Sequence, residues 1–225
     1  MSLEEIRNKF KSDGFVVIKD FFPPDDAEKY HKFFYNDMPK DWWHMSTYFG
    51  KQNIIRMDKS HKNKKEVIKL WKEAGQLINQ ETLSYRFWRT INHDSKCHCE
   101  NCNIRKVFNS PKMMSIINSI SEENVSTTHA MFASRYTEGC YLSTHTDKGN
   151  GKIAFVYNLS KNWRPCWGAM LHFLEPDCVS VRNVILPIFN SLTIFRVPEN
   201  GIPHFVSQVS DGVTAERIAV SGWFR

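Results

Sequence analysis

The stretch "CYLSTHTDKGNGKIAFVYNLS", residues 140–160, decides the reading of this chain. A β-type segment runs into His145 and Asp147, a Gly-rich turn follows, and an apolar segment resumes at Ile153. In extended backbone, residues i and i+2 point to the same side. His145 and Asp147 therefore offer a nitrogen and an oxygen to one point, two adjacent corners of a metal's coordination sphere. His-x-Asp also arises by chance, and the pair alone cannot complete a site. Two histidines and one carboxylate on one face are the set preferred by non-haem Fe(II). A further ligand must come from elsewhere in the chain.

Working outward, the same short-strand texture starts at Thr127 and lasts to the end. The segments are "THAMFASRY", "KIAFVYNLS", "AMLHFLE", "NVILPIF", "SLTIFRV", "HFVSQV" and "ERIAVSGWFR", separated by Gly, Pro, Asn and Asp. Many short strands with turns between them predict an all-β sandwich or barrel. Upstream the pattern is mostly helical. Residues 3–11 carry a short helical pattern, and "GFVVIKDFF" reads as a strand. "PPDDAEKYHKFFYND" opens a helix with prolines and acids where a helix start favours them. Residues 64–79 read as an amphipathic helix with Val67, Ile68, Trp71 and Ile78 on or near one face. "SPKMMSIINSIS" is a third, with Ser110 as N-cap and Pro111 in the first turn.

Two downstream residues give the His-x-Asp pair company. His204 lies in "GIPHFVSQV", a turn leading into a strand. Arg217 opens the strand "RIAVSGWFR", where alternation puts Arg217, Ala219, Ser221 and Trp223 on one face. An arginine leading an apolar strand is either at a wet rim or paired with a buried anion.

With these residues in place, the chain resembles the Fe(II)/2-oxoglutarate-dependent oxygenases, in their prolyl 4-hydroxylase-like branch. The resemblance rests on "YTEGCYLSTHTD", "YNLSKNWRPCWGAMLHF", "IPHFV" and "RIAVSGWF", in that order, and on the opening "DGFVVIKDFFPPDDAEKYHKFF". It implies a mainly β fold with N-terminal helices, a double-stranded β-helix or jelly roll of the cupin-like kind. It implies one domain over residues 1–225, with about 1–126 as helical support and lid and about 127–225 as the catalytic core. It implies that His145, Asp147 and His204 ligate Fe(II), that Arg217 holds the distal carboxylate of 2-oxoglutarate, and that Tyr136, Ser221 and Asn158 contact this cosubstrate. In some relatives the Asn158 position is a tyrosine, and where relatives often carry Gly-Gly this chain has Gly168-Ala169. The implied reaction is hydroxylation of a C–H bond, on a prolyl or related amino-acid residue, using O2 and releasing succinate and carbon dioxide. Ascorbate is an optional auxiliary. Halogenating relatives leave the carboxylate position empty, so Asp147 favours hydroxylation. Two rival readings stand beside this one: oxidation of a free small molecule, and a non-catalytic jelly-roll binding module.

Composition bounds the rest. Hydrophobic residues make up 41% of the 225, so the chain can bury a core and is not a disordered one. No apolar run is long enough to span a bilayer, and "MSLEEIRNKF" lacks the layout of a signal peptide. The expected location is cytoplasmic, with no membrane partner. The net charge of +6 draws on "KSHKNKKEVIKLWK", read as a solvated helix face. It lacks the clustered arginines of a nucleic-acid surface, so the expected partner is a peptide, protein or amino-acid substrate. "NHDSKCHCENC" holds His93, Cys97, His98, Cys99 and Cys102, either a zinc site or reduced cysteines in a structured loop. His129 and His172 sit in strands, where packing is the commoner role. Trp42, Trp43, Trp88 and Trp163 are packing residues or line a substrate entrance. The segment 38–108 is expected to cover the mouth of the fold.

Overall fold

The structure, a computed structural model, describes residues 1–56, 63–78, 82–91 and 97–225. Helix α1 (Leu3–Asp13) starts at a capping box, in which Ser2 and Glu5 bond each other's backbone, and stops at Gly14 in left-handed conformation. Strand β1 (Phe15–Ile18) leads to α2 (Pro24–Lys32), which runs on into a π turn at Phe33–Asp37. Then come β2 (His44–Phe49), β3 (Gln52–Arg56), α3 (Lys64–Gln76), β4 (Ser84–Arg89), α4 (Glu100–Phe108) and α5 (Pro111–Ser121). The Ser110 hydroxyl caps α5 by accepting from the Met113 N–H. The rest is β: β5 (Thr128–Tyr136), β6 (Tyr141–His145), β7 (Ile153–Asn158), β8 (Leu171–Leu174), β9 (Val181–Ile185), β10 (Ser191–Arg196), β11 (His204–Val206) and β12 (Arg217–Phe224).

All twelve strands join one antiparallel sheet, in the order β1-β10-β7-β12-β5-β4-β6-β11-β8-β9, with β2 and β3 branching from β4. The sheet rolls on itself as the jelly roll requires. One run, β1-β10-β7-β12-β5, faces the other, β6-β11-β8-β9, and β4 joins them by pairing Trp88 with Arg135 and Tyr85 with Leu142.

Alternation sorts the first run into two faces. On β7 and β12, Ile153, Phe155, Tyr157, Ile218, Val220 and Phe224 point outward and meet the helices in the larger core. There Phe108 of α4 stacks on Phe155 at 4.6 Å. Phe108 is fully buried, and truncating such a ring to alanine costs about 3–5 kcal/mol. The inner face carries Ala154 with Tyr136, Phe195 and Tyr85, which form a second core inside the roll with Phe173 and Val206. The helices thus brace one wall from outside while the inner face stays available for chemistry.

Several expectations differ from what is observed. The segment 38–108 is not only a cover: β2, β3 and β4 are strands of the main sheet. Residues 100–102, at the end of the expected cysteine loop, already belong to α4. On α3, Val67 and Ala74 are buried but Ile68 is 45% exposed and Ile78 beyond its end 37% exposed, so the apolar face is narrower than the sequence suggests. Strand "NVILPIF" ends at Ile185, ahead of Pro187, which has no N–H to give a ladder.

Candidate active site

The inner face of the roll encloses a cavity of about 310 Å³ whose walls include His145, Asp147, His204, Tyr136, Arg217 and Ser221. Strand pairing builds the first half of the site. His145 ends β6 and His204 opens β11, and the two are register partners, with ring centroids 4.2 Å apart. Asp147 lies just past the end of β6, still on the same side as His145. The three offer ligand atoms all within 4.8 Å of one another.

Each imidazole is held in one tautomer. The His145 Nδ1 lies 3.0 Å from the Ser143 carbonyl and the His204 Nδ1 lies 2.8 Å from the Ile202 carbonyl. A carbonyl only accepts, so both Nδ1 atoms carry the hydrogen and both Nε2 lone pairs are left for a cation. Those Nε2 atoms sit 3.6 and 3.5 Å from the two Asp147 carboxylate oxygens. Burial drives the His204 pKa down to about 4, helped by His145 and opposed by Asp147. Burial pushes Asp147 up, but the neighbouring His145 and His204 outweigh it, so its carboxyl stays below the usual range. The Trp223 indole adds a smaller lowering effect, although its Nε1 makes no hydrogen bond of normal geometry. At neutral pH the set is a neutral His204 and a carboxylate, ready to bind a divalent cation without first losing protons.

A glycine locks the two ligand loops together. Gly201 has φ +71°, and a Cβ there would come within 2.5 Å of the Thr146 Cβ. The turn that delivers His204 therefore packs directly on the residue between His145 and Asp147.

The second half of the site is Arg217, on the facing run. Its side chain is buried, with the residue only 4% exposed. Its guanidinium lies 5.3 Å over the Tyr136 ring, and one nitrogen is 3.5 Å from Asn158 Oδ1, a long contact. Its Nε has no hydrogen-bond partner among the described residues. A buried guanidinium with unmet donors is costly unless an anion completes it. The start of β12 is rigidly fixed: Arg135 grips the preceding Glu216 in a two-pronged ion pair, and the Tyr35 hydroxyl donates to the Glu216 carbonyl at 2.6 Å. Neither Arg135 nor Tyr35 was singled out in the sequence, where nothing links them to Glu216.

Tyr136 and Ser221 stand on the cavity wall. Asn158 does not line the cavity; it sits behind Arg217, and its amide reaches Ser191 Oγ at 3.3 Å. Its Oδ1 is the long 3.5 Å contact of Arg217. Sequence reasoning missed Gln52, Tyr85, Phe87 and Arg89, which also line the cavity. The alternation of "YRFWR" in β4 is the signal that could have found Tyr85, Phe87 and Arg89. His172 is stacked on Phe205 at 4.3 Å, away from the cavity wall. Of the four tryptophans named, none lines the cavity, whereas Trp223 does. Gly168 and Ala169 both take positive φ, 74° and 50°, and a Cβ on Gly168 would strike the Gln208 carbonyl, so this corner is built by close backbone approach.

The donor set and the unmet Arg217 fit Fe(II) and a dicarboxylate. Comparison with known proteins agrees. Residues 131–225 match the model of the 2OG-Fe(II) oxygenase superfamily. A prolyl 3,4-dihydroxylase of Ostreococcus tauri is 34% identical over 98 residues, which are 40% of this chain and 19% of that protein. The chain thus spans about a fifth of the length of that relative. A prolyl-4-hydroxylase of Pseudomonas putida superposes with TM-score 0.61 at 15% identity, covering 100% of this chain and 98% of the other. A prolyl hydroxylase of Trichoplax adhaerens, solved with a hypoxia inducible factor peptide, gives 0.62 at 16% identity, covering 99% and 88%. Such a family implies Fe(II), 2-oxoglutarate and O2 as its reagents. Over residues 131–225 the chain is thus similar to the 2OG-Fe(II) oxygenase superfamily, and its fold as a whole is that of the prolyl hydroxylases named above.

Proposed function

We propose that this chain, as a single domain over residues 1–225, hydroxylates a prolyl or related amino-acid residue of a peptide or protein. The convergence of His145, Asp147 and His204 with the buried Arg217 on one cavity carries this reading. The Nε2 atoms of the histidines and the Asp147 carboxylate would hold Fe(II), and Arg217 would hold the distal carboxylate of 2-oxoglutarate. When bound, these reagents supply the activation of O2, with succinate and carbon dioxide released as a C–H bond becomes C–OH. The chain's own residues position and enclose. Two carbonyls aim the imidazoles, Asp147 fills the position that a halide would need, and the Arg217 fork matches a carboxylate in two parallel bonds. Tyr85, Phe87, Phe132 and Phe195 line the walls and exclude water. Ascorbate is an auxiliary and the cytoplasm the location in this reading; no helix among the described residues is long and apolar enough to cross a membrane.

The substrate class draws on two supports. The similar proteins named above are prolyl hydroxylases, one of them holding a peptide. A cavity of about 310 Å³ is at the small end for ligand sites, with room for a small dicarboxylate and one protruding side chain. The test is to offer proline-containing peptides with Fe(II) and 2-oxoglutarate, reading succinate and peptide mass. The expected result is succinate formed in step with the gain of one oxygen by the peptide. Succinate release stimulated by free small molecules and by no peptide would overturn the substrate assignment.

A further inference from the structure

Cys97, Cys99 and Cys102 form a second donor cluster, away from the cavity wall. The Cys97 and Cys99 sulfurs are 3.1 Å apart, those of Cys99 and Cys102 are 3.6 Å apart, and ligand atoms of all three fall within 4.8 Å of one another. None of the three is in a disulfide. We propose that they bind a structural zinc ion that ties the segment entering α4 to the helix itself.

The local backbone explains the convergence. Cys99 is the N-cap of α4 in extended conformation, with φ −67° and ψ 164°. Cys97, two residues earlier, therefore shares a side with it. The chain then turns into the helix, where the Cys102 and Asn103 N–H groups both donate to the Cys99 carbonyl at 2.9 Å. That turn brings Cys102 round to the same point. A zinc–sulfur bond is about 2.3 Å, so a tetrahedral ion holds its sulfurs roughly 3.8 Å apart. The 3.6 Å between Cys99 and Cys102 is close to that spacing, and the 3.1 Å between Cys97 and Cys99 is shorter, so that pair must open slightly to take the ion. Three sulfurs select a soft or borderline cation and reject magnesium or calcium, and they differ from the nitrogen and oxygen set at the other centre. Three thiolates on one dication leave a net negative charge. Arg105, one helical turn beyond Cys102, is a partly buried cation that interacts with both Cys102 and Cys99. Three protons leave for solvent on binding, and water or an imidazole completes the fourth corner. His98 is exposed between Cys97 and Cys99; His93 lies outside the described residues.

The consequence reaches the cavity. Ile104 and Phe108 anchor α4 in the main core, and the chain entering α4 comes from β4, whose Tyr85, Phe87 and Arg89 line the cavity. Pinning that chain to α4 limits how far β4 can shift.

The test uses the full chain, reduced, stripped by chelator and titrated anaerobically with cobalt(II) as a zinc probe. A thiolate-to-cobalt charge-transfer band should saturate at one equivalent in the wild type. It should persist in the double variant His145→Ala, Asp147→Ala, which separates this site from the other and survives a failure of the proposed activity. Cys99→Ser and Cys102→Ser should lose the band and release zinc at least tenfold more readily to a chelator. Should buried Cys102→Ser not fold, Cys97→Ser at a half-buried position reads the same loss. No thiolate band in the wild type, zinc retention unchanged in the cysteine variants, or a Cys97–Cys99 or Cys99–Cys102 disulfide in place of metal would each overturn the proposal.

Discussion

Replacing Arg217 with methionine separates the cost of burying a charge from the use made of it. The guanidinium is 4% exposed, its Nε has no partner among the described residues, and its contact to Asn158 is long at 3.5 Å. Burial works against its charged form, with only Tyr136 and Tyr35 opposing. Without an anion this charge is a net burden on the fold. Apolar replacement of buried charges is often neutral or stabilising by about 1–4 kcal/mol. Arg217→Met should therefore leave the ligand-free protein as stable as the wild type or more so. The bound state is the reverse. Losing one partner of a buried, hydrogen-bonded charge pair costs on the order of 2–5 kcal/mol, so 2-oxoglutarate affinity should fall by roughly 30-fold or more, since about 1.4 kcal/mol is tenfold. The assay is thermal unfolding with and without 2-oxoglutarate, with manganese(II) in place of iron to prevent turnover. Ligand at 100 times its Kd adds about 2.7 kcal/mol to the wild type, and most of that shift should vanish in the variant. A variant that is destabilised when ligand-free yet keeps its full 2-oxoglutarate shift would refute the reasoning.

Other consequences follow from the same geometry. His145→Ala and Asp147→Ala should abolish Fe(II)-dependent turnover while thermal midpoints stay near wild type; activity close to wild type in Asp147→Ala would remove it from the ligand set. The folded-state pKa of His204 is about 4, below its ordinary 6.5, so the unfolded chain binds more protons between those values. Stability of the metal-free protein should fall as pH drops from 6.5 toward 4, with the lowered Asp147 extending the loss further into acid. Urea unfolding should show a shallower decline in His204→Gln, and an equal decline would assign the proton uptake elsewhere. Gly201→Ala should destabilise by about 1–2 kcal/mol for its left-handed backbone alone, and should weaken iron binding because the new Cβ strikes Thr146. Hydrogen exchange should find the β4 amides paired with β5 and β6 protected like those of β7, and rapid exchange there would restore a purely mobile cover.

The parts of the fold that were legible in the sequence are those whose pattern is local. His145 and Asp147 announce themselves by spacing, and Arg217 by being a charge at the head of an apolar strand. Ser110 and the Pro23-Pro24 start are equally local signals. What was illegible depends on partners far away in the chain. β2, β3 and β4 mix charged and aromatic residues, and only the pairing of β4 with β5 and β6, with β2 and β3 following on β4, makes them part of the sheet. Arg86 looks like a surface residue in "SYRFWR", yet its Nε donates to the Gly139 carbonyl and one terminal nitrogen to the Trp71 carbonyl. Asn158 is expected to contact the cosubstrate, yet it touches Arg217 at 3.5 Å and is absent from the cavity lining, a placement that only the pairing of β7 with β12 sets. Ile68 repeats at helical spacing but faces solvent, because α3 packs on β2 and β4 along a narrow stripe containing Val67 and Ala74.

The central claim is that His145, Asp147, His204 and Arg217 form one site for Fe(II) and 2-oxoglutarate. Anaerobic titration of the protein with both, followed by visible absorption, tests it most directly. A weak charge-transfer band that needs both reagents, saturates at one equivalent of iron and is lost in His204→Ala is the expected result. Absence of the band at saturating iron and 2-oxoglutarate, in protein that is fully folded, would contradict the account.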